Sequence, residues 1–243
     1  MALCVTCLVD TFYPQVGEAV VNVLRRLGVD VTFPEDQTCC GQPAYNEGFQ
    51  RDATAVARRL IDLFQDAEYV VVPSGSCAAM IKVHYPKLFH DDPDMLAKAE
   101  ELAGRTYELS DFLVNVLQIT EAGASFAGKA TYQESCHLLR ELHVSSEPRA
   151  LVQGVQGTEL VEMDQCDECC GFGGLFAVRY PHISAAILNE KLQAVEATGA
   201  DVVVSSDMGC LMHMGGAISR RGMRVRPMHL AELLDQREGR VTW

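Results

Sequence analysis

Apolar positions along the chain fall into two kinds of pattern. Val16 to Gly28 repeats apolar residues every three or four positions and ends at a glycine, which predicts a helix. The spans Tyr45 to Phe64 and Tyr180 to Thr198 are also predicted helices. The short runs "ALCVTC", "VDVTF", "YVVVP", "KATYQESC" and "ADVVVSS" predict strands. Because helices alternate with short apolar strands, the pattern predicts an α/β protein with parallel sheets.

The cysteines show that this order of elements occurs twice. Each half contains a cysteine, then 31 or 32 residues, then Cys-Cys-Gly, then 35 or 38 residues, then a last cysteine. An internal duplication explains the agreement. We expect two pseudo-symmetric Rossmann-like repeats, 1–122 and 123–243, that meet at the turn-forming stretch "ITEAGASFAG". In such folds functional loops gather at the carboxyl ends of strands, so each half should bring its cysteines together at one sheet edge.

Composition narrows the classes of function. The 243 residues carry a net charge of −13 and the pI is near 4.9, which argues against nucleic acid and anionic membranes as partners. The N-terminus lacks the pattern of a secretory signal, and the sequence has no apolar stretch long enough for a transmembrane segment. We therefore expect a cytoplasmic protein. "GFGG" lacks the spacing of a nucleotide-binding glycine fingerprint, so a flavin or NAD site in this chain is not expected.

Ten cysteines in a chain of this kind indicate metal or redox chemistry rather than a disulfide framework. Four thiolates in each half could hold zinc or an iron–sulfur cluster. Adjacent cysteines have diverging side chains, which disfavours one shared ion and favours a cluster in which each thiolate binds a different iron. Iron–sulfur is the favoured interpretation, and zinc or unmetallated thiols are the alternatives. The candidate ligands are Cys7, Cys39, Cys40, Cys77, Cys136, Cys169, Cys170 and Cys210.

Four further residues lie near these positions. Cys4 shares a strand with the first ligand but is expected in the core. Cys166 has C-x₂-C spacing to Cys169 without a counterpart in the first half, so we keep it as a possible extra ligand outside the main set. His137 is expected to be a hydrogen-bonding neighbour, and His229 is expected to cap or open the last helix.

The motifs resemble those of the CCG (cysteine-rich) domain family. The resemblance rests on "VTCLVDTFYPQVG", "QTCCGQPAYNEG", "YVVVPSGSCAAM", "TYELSDFLVNVL", "TYQESCHLLREL", "CCGFGGLFAV" and "GCLMHMGG", which span almost the whole chain. The family includes a component of heterodisulfide reductase and the iron–sulfur subunits of glycolate oxidase and anaerobic glycerol-3-phosphate dehydrogenase. The closer likeness is to the lactate utilisation A group of stand-alone proteins with two CCG domains.

The resemblance implies an iron–sulfur electron-transfer subunit of a system that oxidises L-lactate to pyruvate. It would be a redox subunit rather than a stand-alone enzyme, with one or two clusters, expected to be [4Fe-4S], on the eight cysteines. The implied partners are lactate utilisation proteins B and C, with electrons passing toward an acceptor such as the quinone pool. The alternatives are a cluster-based reductase of the heterodisulfide reductase type and a zinc-bound or redox-sensing accessory subunit.

The chain departs from the full family motif at its last position. Heterodisulfide reductase ends each motif in C-x₂-C and holds a noncubane cluster on five cysteines. This chain has Met80 and His213 at those positions. A four-cysteine cubane cluster is therefore as consistent with the sequence as the noncubane form. Packing is the expected role of both residues, with His213 kept as a possible extra ligand.

Overall fold

The computed structural model describes residues 1–237 of the chain. Seven strands are numbered in chain order: β1 (Ala2–Leu3), β2 (Val70–Val72), β3 (Thr106–Glu108), β4 (Ser125–Tyr132), β5 (Gln156–Leu160), β6 (Val202–Ser205) and β7 (Arg226–His229). They form a three-stranded sheet of order β1-β2-β3 and a four-stranded sheet of order β5-β4-β6-β7. Every pairing between these strands is parallel, which confirms the predicted α/β class.

The helices lie between and around these strands. In chain order they are α1 (Cys7–Phe12), α2 (Pro14–Arg26), α3 (Gln42–Asn46), α4 (Gln50–Leu63), α5 (Gly75–Ala79), a π-helical segment (Met80–His84), α6 (Tyr85–Leu88), α7 (Pro93–Arg105), α8 (Leu109–Asp111), a second π-helical segment (Phe112–Val116), α9 (Cys136–Arg140), α10 (Ser146–Gln153), α11 (Phe176–Arg179), α12 (Pro181–Ala197), α13 (Met208–Arg221) and α14 (Leu230–Leu234). Among the described residues no helix is both long and apolar enough to cross a membrane.

The two halves repeat the same order of elements. β1 corresponds to β4, β2 to β6 and β3 to β7. In both halves the second and third of these strands are followed directly by a helix. The duplication therefore extends from the cysteines to the scaffold. The predicted boundary at residue 122 lies in the connection between the two sheets and stays a prediction.

One predicted strand is not formed. "VDVTF" makes only an isolated parallel bridge between Thr32 and Ala2. Two backbone bonds hold it, Leu3 N–H to the Thr32 carbonyl and Thr32 N–H to the Met1 carbonyl, both 2.9 Å. Its counterpart in the second half is the full edge strand β5. The first half lacks this strand because β1, its only neighbour, is two residues long and cannot extend the ladder.

One predicted helix is broken. The span Tyr45 to Phe64 consists of α3 and α4, separated at Gly48, whose φ is +82°. A left-handed residue ends the hydrogen-bonding pattern of a right-handed helix. The second half has a break at the corresponding place, between α11, which ends at Arg179, and α12, which begins at Pro181. The predictions for α2, β2, α12 and β6 agree closely with the observed elements, whereas the strands predicted from "ALCVTC" and "KATYQESC" end four residues before the cysteine, at Leu3 and Tyr132.

Apolar packing joins the halves. One core cluster contains side chains from both sheets, among them Leu3, Val71, Tyr132 and Val202. Arg26 adds a polar contact between the halves, with its Nη1 3.2 Å from Oδ1 of Asp235. The two sheets therefore share one apolar core cluster.

Candidate metal centre

Four of the predicted ligands stand at the starts of helices that follow strands. Cys7 and Cys136 are the first residues of α1 and α9, and Cys77 and Cys210 are the third residues of α5 and α13. The first N–H groups of α5 and α13 are capped by side chains, because Cys77 N–H donates to Ser74 Oγ at 3.3 Å and Gly209 N–H donates to Asp207 Oδ1 at 3.0 Å.

In the first half the four thiols form two close pairs. The Sγ atoms of Cys7 and Cys39 are 3.8 Å apart, and those of Cys40 and Cys77 are 3.3 Å apart. Cys40 and Cys77 are buried, whereas the other pair is half-buried. One pair thus lies deep in the protein and the other lies closer to solvent.

The second half repeats this arrangement. Cys136 contacts Cys169, and Cys170 contacts Cys210, through their side chains. Cys170 and Cys210 are buried, and the other two thiols are half-buried. The predicted convergence of four cysteines within each half is therefore found in the structure.

The structure also joins the two sets, which the sequence analysis did not foresee. A single cavity of about 200 Å³ is lined by all eight of these cysteines. Phe172, Leu175, Asn46 and Asp207 complete part of its wall. The cavity lies between the halves, where the carboxyl ends of both sheets meet. The two ligand sets therefore face each other across one space instead of occupying separate edges.

The glycine after each cysteine pair is required by geometry. Gly41 and Gly171 have φ values of +85° and +86°, which side-chain-bearing residues rarely adopt. A Cβ at Gly171 would lie 2.6 Å from the backbone oxygen of Ser184. In this conformation the Gly41 N–H donates to the Cys39 sulfur at 3.4 Å, and the Gly171 N–H donates to the Cys169 sulfur at 3.2 Å.

These contacts lower the pKa of one thiol in each half. The neighbouring Cys40 thiol lowers the pKa of Cys39, as do the Cys7 thiol, which donates to its sulfur, and the Gly41 amide. Cys136 and Cys170 lower the pKa of Cys169 in the same way. The donating thiols have raised pKa values, because giving up their protons would remove these bonds and place further charges close together.

Asp207 links α5 and α13, the helices that carry Cys77 and Cys210. It is the N-cap of α13, and its Oδ1 accepts the Gly209 N–H at 3.0 Å. Its Oδ2 accepts the Ser76 N–H at 2.9 Å and the Ser74 hydroxyl at 3.1 Å, both at the start of α5. One buried carboxylate thus stabilises the N-termini that carry Cys77 and Cys210. Sequence reasoning missed it, although Asp207 and Ser74 each stand three residues before the last cysteine of their half.

A second pair of equivalent residues lies at the ends of β3 and β7. Glu108 accepts backbone N–H bonds from Ser110 and Asp111 at the start of α8. His229 accepts the Ala231 N–H at 3.1 Å and forms a capping box, which confirms its predicted role at the last helix. Burial raises the pKa of Glu108 to about 7 and lowers the pKa of His229 to about 4. Both groups are therefore biased toward their neutral forms.

Other predicted neighbours lie close to the thiols. Met80 is fully buried in the apolar cluster that also contains Cys4, Cys40 and Cys77, which confirms a packing role for Met80 and a core position for Cys4. His137 lies with its Nδ1 3.6 Å from the Cys136 sulfur, as expected of a hydrogen-bonding neighbour.

The two possible extra ligands have other partners. His213 Nε2 is 3.1 Å from the Ser184 hydroxyl, and its ring packs 5.9 Å from that of Phe172. The Cys166 sulfur is 3.5 Å from Nη2 of Arg149, in the loop before the second CCG triplet. Neither side chain lines the shared cavity, and a ligand role for either stays a prediction.

The chemistry of the donor set fits an iron–sulfur cluster. The cavity holds several times the roughly 30 Å³ that one water occupies in the liquid, and eight of the side chains that line it are cysteines. Among residues 1–237, no three His, Cys, Asp or Glu side chains are arranged to hold a single metal ion. Paired, diverging thiols suit a group with several metal atoms, each of which takes a separate thiolate.

Comparisons with known proteins agree with this picture. The profile of the cysteine-rich domain family, CCG, matches residues 1–82 and 130–215. Lactate utilization protein A of Geobacillus kaustophilus is 49% identical over 98% of this chain and 99% of its own length. The proteins of the same name from Bacillus subtilis and Bacillus velezensis are 50% and 51% identical, with the same coverage. The crystal structure of glutamate racemase RacE1 from Bacillus anthracis aligns with 96% of this chain and 77% of that chain. It does so at 12% identity with a TM-score of 0.35, which is too weak to carry an argument.

Proposed function

The chain belongs to the cysteine-rich (CCG) domain family, and from this premise we propose that it is an iron–sulfur electron-transfer subunit in lactate utilisation. The system would oxidise L-lactate to pyruvate. The observation that carries the proposal is the single cavity lined by two sets of four cysteines. The relatives named for lactate utilisation, about half identical over nearly the whole chain, support the physiological context.

In this proposal the eight cysteines of the cavity hold one or two clusters, of which [4Fe-4S] is the favoured type. A bound cluster supplies reversible one-electron chemistry that no side chain of the protein provides. The buried thiols of Cys40, Cys77, Cys170 and Cys210 would bind as thiolates, so loading releases protons. The amides of Gly41 and Gly171 already point at the sulfurs of Cys39 and Cys169 and would tune the cluster by hydrogen bonding.

The chain would act with lactate utilisation proteins B and C as one redox subunit of a larger system. Electrons would leave toward an acceptor such as the quinone pool, and the protein would work in the cytoplasm. The thiol-lined cavity supports the proposal that the chain ligates a cluster. Oxidation of the hydroxyacid would occur in the assembled system rather than in this chain alone.

The shared cavity also favours a second candidate, a cluster-based reductase of the heterodisulfide reductase type. Two ligand sets that face one space leave room between them for a sulfur-containing substrate. Met80 and His213, which replace the fifth cysteines of that family, argue against this candidate.

Anaerobic purification followed by iron, acid-labile sulfide and zinc analysis and by EPR spectroscopy tests the proposal. We expect iron and sulfide in equal amounts and an EPR signal after reduction. Cys40→Ser and Cys170→Ser should each lose iron from one half. Loss of all iron from either substitution would indicate one cofactor shared across the cavity. Colourless protein with stoichiometric zinc would contradict the proposal, and turnover of a disulfide substrate would favour the second candidate.

A further inference from the structure

A lysine is buried next to the second cysteine pair. Lys191 of α12 is only 3% exposed, and among residues 1–237 no carboxylate lies within ion-pair distance of its Nζ. Lysine is almost never fully buried without an ionic partner, because removing its charge from water is costly. Packing alone therefore does not account for this residue.

Lys191 holds the loop that leads to Cys169. Its Nζ donates to the carbonyl oxygen of Gln165 at 2.5 Å and lies 3.5 Å from the carbonyl oxygen of Cys166. Gln165 has a φ of +54°, which residues with a side chain rarely adopt. Such a conformation persists only where the surrounding structure holds it in place. Lys191 provides that support from the interior of the protein.

α12 also brings Lys191 close to the ligands themselves. A Cβ on Gly171 would lie 3.3 Å from the amide nitrogen of Leu188, and Leu188 and Leu192 belong to the same apolar cluster as Cys170. Lys191 stands three positions after Leu188 and therefore on the same face of the helix. Burial lowers the pKa of Lys191, and neighbouring groups that include Cys170 oppose this shift. The lysine is therefore close enough to the second ligand set for its charge to act there.

The first half has a leucine at the corresponding position. The glycines of the two CCG triplets pack against the backbone of Ala53 in α4 and of Ser184 in α12, which aligns these two helices. Seven positions further along stand Leu60 and Lys191. Leu60 is fully buried in the apolar cluster that contains Cys40. The scaffold therefore packs well without a lysine at this position.

The loop of the first half is held by an exposed cation instead. Arg59 of α4 is exposed, and its Nη2 lies 3.2 Å from the carbonyl oxygen of Asp36. Water and salt screen an exposed charge much more strongly than a buried one. The same screening applies to exposed carboxylates of the two loops, such as those of Asp36 and Asp167. Both loops thus have a cationic anchor, but only that of the second half is buried.

Other buried charges do not reproduce this difference between the halves. Asp207 accepts N–H groups at the starts of both α5 and α13, so its charge acts on both ligand sets. Glu134 of the second half is held in an ion pair with Arg149. Lys191 is therefore a buried cation without an ionic partner, on the side of one ligand set.

We infer that Lys191 is a positioning residue of the second ligand set, which fixes the loop before Cys169 and favours the reduced form of an iron–sulfur cluster bound there. The inference deepens the proposed electron-transfer function and rests on it. One-electron reduction adds a negative charge to a bound cluster, and a buried cation close by stabilises that charge. The second set would thus have a higher reduction potential with Lys191 than without it.

An anaerobic redox titration with dithionite, followed by EPR, tests the inference on the iron-loaded protein. Cys40→Ser, which should retain only the second set, identifies the signal of that set. Lys191→Met removes the charge and keeps a side chain of similar length. At the midpoint of the unmodified protein, its ratio of reduced to oxidised cluster should fall roughly tenfold, which is about 59 mV for a one-electron couple.

Two variants serve as controls. Lys191→Arg keeps the positive charge and the donors, so its ratio should stay within about threefold of the unmodified value. Arg59→Met also removes a cation that holds a loop carbonyl, but an exposed one, so the ratio for the first set should change less than about twofold. An unchanged ratio in Lys191→Met, an equal fall in Lys191→Arg, or an equal fall in Arg59→Met would each overturn the inference.

Iron analysis covers the case in which the methionine variant does not retain the second cluster. Lys191→Gln, which keeps a donor without the charge, then takes its place in the titration. Iron lost from both neutral variants but retained by Lys191→Arg would show that the ligand set needs the charge, which supports the inference. Iron lost from all three variants would overturn it.

Hydrogen exchange of residues 163–168, measured by mass spectrometry, separates this inference from the proposed function because it needs no cluster. Exchange should be faster in Lys191→Met than in the unmodified protein and in Lys191→Arg. That difference in a protein without iron would keep the positioning role and overturn electron transfer. Equal exchange in all three proteins would overturn the positioning role and leave electron transfer standing.

Discussion

Asp207 gives the sharpest test of how the two halves are held together. Substitution by alanine removes the acceptor for the N–H groups of Gly209 and Ser76 and for the hydroxyl of Ser74. Loss of an N-cap costs about 0.5–2 kcal/mol, and each buried donor left without a partner costs about 1–3 kcal/mol. Part of this loss is offset because a buried charge no longer has to be desolvated. We expect Asp207→Ala to lower the free energy of unfolding by about 3–5 kcal/mol.

Asp92 provides the matched control. It is also the N-cap of a helix, α7, where it accepts the Met95 N–H at 3.2 Å, but it is partly exposed and its partners, Met95 and Arg58, belong to its own half. Asp92→Ala should lower the free energy of unfolding clearly less than Asp207→Ala does. Urea unfolding followed by far-UV circular dichroism, with iron measured on the same samples, compares the two variants.

A double-mutant cycle isolates the contact between the halves. The loss for Ser74→Ala with Asp207→Ala should be smaller than the sum of the single losses, by about 0.5–3 kcal/mol, because the two residues share a hydrogen bond. If Asp207→Ala costs no more than Asp92→Ala, or if the losses simply add, the carboxylate does not join the halves and the reasoning is refuted.

Three further predictions concern single positions. Because burial raises the pKa of Glu108 from its usual 4.5 to about 7, the folded state holds a proton that the unfolded state releases. The contribution of Glu108 to the unfolding free energy should therefore fall by about 3 kcal/mol between pH 4.5 and 7, while His229, whose pKa burial lowers to about 4, contributes a rise over part of the same range. The difference in unfolding free energy between the unmodified protein and Glu108→Gln isolates the first contribution in urea titrations, and a difference that does not change with pH would contradict the assignment. Gly171→Ala should lower iron content and stability more than Gly174→Ala, since both positions have positive φ but only the first meets backbone within 3 Å; equal effects measured by iron assay and thermal unfolding would remove the steric argument. Cys4→Ala and Cys166→Ala should retain the iron content of the unmodified protein, and loss of iron from either would place that sulfur among the ligands.

The structure explains why some local predictions succeeded and others did not. "YVVVP" and "ADVVVSS" became β2 and β6 because runs of valine favour extended backbone and are buried on both faces between parallel neighbours. "VDVTF" has a similar composition but remains a single bridge at Thr32, because its only neighbour is too short to pair with it. The break at Gly48 depends on one backbone angle, which helical periodicity does not reveal.

The amino-acid sequence by itself determined the duplication, the α/β alternation and the eight cysteines, because these are regularities of spacing and local periodicity. Only the tertiary structure decided that both sets of thiols face one cavity, and that Asp207 joins residues 131 and 133 positions away. It also decided that Lys191 is buried and holds the loop before Cys169. These features depend on how two similar halves pack against each other. That packing is set by apolar burial and hydrogen bonds between residues far apart in the chain, for which no local pattern exists.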